Sequence, residues 1–225
     1  MPRQPFLSFY QTGMSYAVGP GELAKRPELA GLIAQCIAMW NDAELQMALS
    51  LGAILKTNSD AAVALYLAIK TSRTQRDALS NVARVLLTGL DLAAFEALLS
   101  VYGSLEKQRN ALAHGLFGAM DGLPESILWT DIQDHANFLI NVYTKEYQNI
   151  SVADPHEKLR RDMYVYHRDD LRQLLDQLTE LQRAVFCFHC HHQPRQNKSH
   201  NYLADLVSLP MIKAELAKQG APAKP

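Results

Sequence analysis

DLAAFEALLSVYGSLEKQRNALAHG, residues 91–115, reads as one long helix with a chemically loaded end. Leu92, Phe95, Leu98, Leu99, Tyr102, Leu105 and Leu112 recur at three- and four-residue steps, the spacing that gathers apolar side chains on one helical face. Asp91 suits the first turn, and Gly115 suits the position just past the helix, where a left-handed backbone ends it without strain. The last turns carry Glu106, Arg109, Asn110 and His114. On an ideal helix these four fall within an arc of roughly 140°, a polar strip opposite the apolar face. Arginine grips phosphate with a planar, always-charged fork, and histidine most readily exchanges protons near neutral pH. That pair suits phosphodiester cleavage. The C-terminal end of a helix carries partial negative charge, so Arg109 has to supply the attraction for phosphate.

Upstream, Pro27 and Glu28 open another long helix, and Leu29, Ile33, Cys36, Trp40, Ala43, Met47, Leu51 and Ile54 form its apolar stripe. Asn58, Ser59 or Asp60 caps a helix over Ala61 to Ile69. A further helix spans about Thr74 to Leu87, with Leu79, Val82, Val85 and Leu86 expected to face inward. Residues 1–22 have no steady period and read as an N-terminal arm.

Downstream the pattern changes. Two short apolar pieces flank Asp121-Gly122-Leu123-Pro124, a hairpin signature, and Met163 to Tyr166 reads as a strand. A helix through Phe138, Leu139 and Val142 fits between them. Asp169 and Asp170 then open an amphipathic helix on Leu171, Leu174, Leu175, Leu178, Leu181 and Val185. The expected layout is an arm (1–22), a helical domain (23–192) with a β-like insertion near 115–166, and a partly disordered tail (193–225). One short helix, Tyr202 to Val207, falls in that tail. The fold class is mainly α, with no internal repeat.

Composition narrows the function classes. With 225 residues, 48% hydrophobic and 20% charged, the chain has the make-up of a globular domain that buries a sizeable core. A net charge of -1 excludes a generally basic nucleic-acid coat and leaves room only for local basic patches. Cys36, Cys187 and Cys190 form no disulfide framework, as expected for a reducing cytoplasm. No apolar run reaches the roughly 20 residues of a membrane span, and the first residues lack a signal-peptide core.

Other features are weaker. Arg195 and His200 repeat the arginine–histidine spacing in a polar segment after Pro194; Arg161 with His167 and Arg183 with His189 approximate it. Lys70, Arg73, Arg76 and Arg84 make a basic stretch that suits an RNA backbone, and a solvated helix face explains them equally well. Tyr164, Tyr166 and His167 suit base stacking, although an alternating strand with one packed face is the commoner reason for such a pattern. Cys187-Phe188-His189-Cys190-His191-His192 holds five ligand-type residues in six. Structural zinc sites use two separated ligand pairs and the second is missing, so the run is read as a helix end with buried cysteines and no metal or cofactor is expected. Ser-His-Asp triads and phosphate-cradling glycine loops do not occur in arguable form.

Arg109-Asn110-Ala111-Leu112-Ala113-His114 resembles the motif of the HEPN superfamily: an arginine, a polar residue, then a histidine on a late bundle helix. The two long helices upstream and the amphipathic helix from Asp169 add to the likeness, which covers roughly Pro27 to His192 in architecture and about ten residues in motif. The resemblance implies a HEPN-like bundle of long antiparallel helices with a small hairpin insertion. It also implies a metal-independent endoribonuclease of a defence or toxin type, acting as a homodimer with a composite cleft and, in toxin systems, a neutralising partner protein. In that setting Arg109 holds the scissile phosphate, His114 moves a proton, Asn110 fixes one of these groups and Glu106 orients Arg109. Some members of the superfamily bind nucleotides or proteins without cutting, which makes a silent binding module the alternative.

Overall fold

The computed structural model describes residues 4–11, 13–148, 155–193 and 200–220. In chain order the elements are β1 (Gln4–Pro5), a 3-10 turn (Phe6–Ser8), β2 (Tyr16–Val18), α1 (Pro20–Ala24), α2 (Pro27–Leu55), α3 (Ser59–Ala68), α4 (Ser72–Leu86) and α5 (Gly89–His114). There follow β3 (Gly115–Met120), β4 (Ser126–Asp131), α6 (Ile132–Gln148), α7 (Pro155–Asp162), β5 (Met163–His167), α8 (Arg168–His192), α9 (Tyr202–Ser208) and α10 (Pro210–Lys218). The protein is mainly helical with a small antiparallel sheet, and among the described residues no helix is long and apolar enough to cross a membrane. It forms two compact units, one of Met1–Ile37 with Arg109–Leu175 and one of Ala38–Gln108 with Asp176–Pro225.

The first unit is built on a five-stranded sheet of order β1-β5-β4-β3-β2, antiparallel throughout. The expected hairpin is β3–β4, turned at Gly122, whose φ of 83° is open to glycine at no steric cost. The strand expected at Met163 to Tyr166 is β5, and α6 carries the helix read through Phe138. Residues read as an arm supply both edge strands instead, with Gln4 opposite Val165 and Tyr16 opposite Met120. Strands of two and three residues are too short to show alternation, so no periodicity announced them. Phe6, fully buried, joins Met120, Leu128, Leu159, Met163 and Val165 in the core of this unit. All of Ser126 to Thr130 is buried, as the central strand requires.

The end of α5 is held by this sheet. The last four carbonyls of a helix have no partner inside it. The indole Nε1–H of Trp129, on β4 and 4% exposed, donates to the Ala111 carbonyl at 2.7 Å and satisfies one of them. Gly115 does not adopt the expected left-handed conformation; the positive-φ glycines among the described residues are Gly13, Gly89, Gly122 and Gly220. It begins β3 opposite Asp131, and a Cβ there would lie 1.7 Å from Trp129 Nε1. Close approach of the indole demands glycine here, not a helix-terminating backbone.

The second unit packs the remaining helical segments. Trp40 lies against Tyr102 at 4.4 Å between ring centroids, and Phe95 stacks on Phe188 at 4.5 Å. All eight stripe residues of α2 are buried, and Trp40, Ala43, Met47, Leu51 and Ile54 among them belong to this unit. Asn58 is the cap of α3, its side chain accepting from the backbone N–H of Asp60 and of Ala61. The inward face of α4 differs from expectation: Leu79 is buried and Val82 half-buried, but Val85 is 81% and Leu86 50% exposed. Gln75, Leu79 and Ala83 make the buried line. The Gln75 amide donates to the carbonyls of Tyr66 and Ile69 at the end of α3, so a hydrogen-bonding residue fills a position that hydrophobicity assigned elsewhere. The short helix expected at Tyr202 is α9, capped by Asn201. Beyond it α10 buries Ile212 and Leu216, and Met211 N–H donates to Glu180 at 2.9 Å. The tail expected to be partly disordered, 193–225, thus carries two helices where it is described, and its residues 194–199 and 221–225 lie outside the described residues.

Gly115→Ala should therefore destabilise the protein by roughly 2–3 kcal/mol in urea unfolding, because it drives a methyl into the indole. Gly31→Ala, in α2 with open space around the new Cβ, should instead stabilise by about 0.5–1 kcal/mol.

Candidate active site

Arg109, Asn110 and His114 occupy the last two turns of α5 and belong to the first unit. Arg109 and His114 are five positions apart on the helix, about 7.5 Å along the axis. Arg109 and Asn110 are half-buried, while His114 is exposed and its side chain makes no hydrogen bond or ion pair with the described residues. His114 is the final residue of α5 and β3 starts at the next one, so helix and strand meet without a loop. The hydrogen bond from Trp129 to Ala111 enters the motif itself, between Asn110 and Leu112. Backbone motion at this helix end is thereby restrained, which is the condition for holding an arginine and a histidine in a set geometry.

Glu106 meets a cation from another helix. It is 3% exposed, belongs to the second unit, and its carboxylate forms a salt bridge with Arg76 of α4. A buried carboxylate is costly unless a cation and hydrogen bonds meet it, and Arg76 does so. The other members of the basic stretch are exposed or only loosely tied. Arg84 meets Glu96 at 3.0 Å, Arg73 lies 3.9 Å from Asp77, and Lys70 is exposed. Three of the four cations thus have an acidic partner, which removes most of the stripe's net field.

Asp131 escaped the sequence reading. It ends β4 opposite Gly115, one position from His114 across the strand pair, and its carboxylate accepts from Gln133 N–H at 2.8 Å at the start of α6. The first unit also contains a recess of about 500 Å³ lined by Tyr10, Tyr16, His135, Phe138, His156 and Arg160, among others. Arg160 lies over the Tyr10 ring at 5.2 Å, and desolvation holds the His135 imidazole below its ordinary pKa. These residues come from the N-terminal segment, α6 and α7, so no local motif could have joined them. Tyr166 is buried and His167 Nδ1 is hydrogen-bonded to Ser126 Oγ at 2.7 Å, the packed-strand reading of that segment.

Among the competing arginine–histidine pairs, Arg161 lies in the last turn of α7 and His167 ends β5, Arg183 and His189 lie along α8, and Arg195 lies outside the described residues. Cys187 and Cys190 are each 4% exposed near the end of α8, as the sequence reading expects, and burial pushes the Cys187 thiol pKa upward. Comparison of the chain with family models, with curated proteins and with solved structures returns no match.

Arg76→Met, which strands the buried Glu106 carboxylate, should cost about 3 kcal/mol in chemical denaturation. Adding Glu106→Gln should recover most of that loss, since the uncompensated charge is then gone.

Proposed function

We propose that the protein is a metal-independent endoribonuclease of HEPN type, acting as a homodimer with Arg109 and His114 at its centre. The observation that carries the proposal is the placement of these two groups on one continuous helix end, Arg109 half-buried and His114 exposed, with neither sealed in a core. Two further observations support it. The helix end is clamped by Trp129, and the same unit carries an aromatic recess with Arg160 at its edge, where a base can stack.

In the proposed reaction the 2′-oxygen of the substrate attacks the neighbouring phosphorus, the bond from phosphorus to the 5′-oxygen breaks, and a cyclic 2′,3′-phosphate and a 5′-hydroxyl result. The proton lost by the 2′-hydroxyl ends on the leaving 5′-oxygen. Arg109 stabilises the charge that builds on the phosphoryl oxygens, and His114 carries the proton at one side of the exchange. Asn110, next to Arg109 and half-buried, holds the phosphate or the guanidinium in register. Glu106, which also meets Arg76, orients Arg109 from three positions upstream on the same helix. Two motif helices brought together in a dimer supply two imidazoles and two guanidinium groups to one cleft, enough for both proton transfers. The requirement for a 2′-hydroxyl restricts the substrate to RNA, and a neutralising partner would act by covering this helix end.

Purified protein incubated with RNA in excess EDTA tests this. The wild type should cut RNA and leave DNA of the same sequence intact. Arg109→Ala and His114→Ala should each slow cutting by about 10²-fold or more. Equal traces of cutting in all three proteins overturn the proposal. RNA binding without cutting, lost in Arg109→Ala, overturns it in favour of a silent binding module.

A further inference from the structure

Asp91, His191 and His192 come together in the second unit although a hundred residues of chain separate the acid from the histidines. Asp91 lies in the first turn of α5, and the two histidines close α8. One ligand atom from each lies within 4.8 Å of the other two, and His191 Nε2 is 3.3 Å from Asp91 Oδ1. Metal–ligand bonds of 2.0–2.1 Å in tetrahedral array set neighbouring ligand atoms about 3.4 Å apart, so the histidine–aspartate edge already has the required length. The corner held by His192, within 4.8 Å of the other two, closes as the ion binds.

The donor set is two imidazoles and one carboxylate. That mixture suits zinc, cobalt or nickel, whereas magnesium and calcium favour sites made wholly of oxygen. The surroundings favour a cation too. The C-terminal carbonyls of α8 present partial negative charge where both histidines sit, and the Asp91 carboxylate offsets the opposite polarity at the start of α5. The His192 ring packs on Phe188 at 4.6 Å, and Phe188 stacks on Phe95, both fully buried. An apolar wall on that side strengthens the field at the ligands. The side chains of His191 and Asp91 are 29% and 33% exposed, which leaves the outer side to solvent.

We infer that Asp91, His191 and His192 form a binding site for one divalent transition-metal ion of the zinc class, with three protein ligands and a fourth position taken by water. The ion clasps the start of α5 to the end of α8 within the second unit. The site is independent of the nuclease proposal, whose chemistry needs no metal. Cys187 and Cys190, the other ligand-type residues of this helix end, are buried and outside the set. The competing arrangement is a hydrogen-bonded Asp91–His191 pair with His192 serving only as a ring against Phe188, and such a pair takes up no metal.

Full-length protein is stripped with EDTA, exchanged into chelator-free buffer and titrated with cobalt(II) or zinc(II) alone. The expected result is one equivalent bound, visible d–d bands from cobalt in a nitrogen–oxygen field, and a rise in Tm with zinc. Asp91→Asn and His192→Ala should each weaken binding by roughly 10-fold or more and abolish the zinc-dependent rise in Tm. Asp91→Asn keeps the shape and hydrogen-bonding capacity of the side chain, so loss of metal there with an unchanged metal-free circular dichroism spectrum is not a folding effect. His200→Ala, at an exposed histidine hydrogen-bonded to Asp205, should bind as the wild type does. No uptake by the wild type, uptake unchanged in Asp91→Asn and His192→Ala, or uptake lost in His200→Ala would each overturn the inference.

Discussion

One hydrogen bond, from the indole of Trp129 to the carbonyl of Ala111, ties the helical and the β parts of the first unit to each other. It forms where α5 runs out of internal hydrogen bonds, so it replaces an interaction the backbone cannot make for itself. The indole reaches that carbonyl by lying over Gly115, where any side chain would collide with it. Glycine at this position, tryptophan two-thirds of the way along β4, and the register that sets Gly115 opposite Asp131 are therefore one constraint seen from three residues. The polar end of α5 owes its definition to that constraint.

The arrangement separates two tasks along a single helix. Residues Gly89 to Gln108 belong to the second unit, where Phe95, Leu98, Tyr102 and Leu105 are buried and Glu106 meets Arg76. Residues from Arg109 onward belong to the first unit and carry the polar groups that reach solvent. Glu106 and Arg109, three positions apart on α5, look like a natural pair on a helical wheel. The buried acid meets a cation from α4, Arg76, whose guanidinium is itself partly withdrawn from water.

Much of the helical architecture was legible because burial and periodicity agree. Every apolar stripe residue of α2 is buried, and the stripe of α8 is buried with Leu175 half-exposed, as a single face of a long helix demands. The reading failed where a polar group did the inward packing or where an element was too short to have a period. Gln75 lies inside α4 because it closes the end of α3, while Val85 and Leu86 turn outward. Gln4–Pro5 and Tyr16–Val18 are strands only because β5 and β3 offer them a free edge. The cysteine–histidine run could be judged along the chain only by its own spacing, which lacks a second ligand pair; the acid that meets its histidines sits at Asp91.

By itself, then, the sequence determined the long helices, the hairpin at Gly122 and the presence of an arginine and a histidine five positions apart at a helix end, because each follows from the local period of side chains or from a turn a few residues long. Only the tertiary structure decided which cation Glu106 meets, why Gly115 is glycine, and that Asp91 closes on His191 and His192. Those outcomes depend on contacts between residues far apart in the chain, and no local pattern encodes which distant partner a buried charge or an unfilled carbonyl will find.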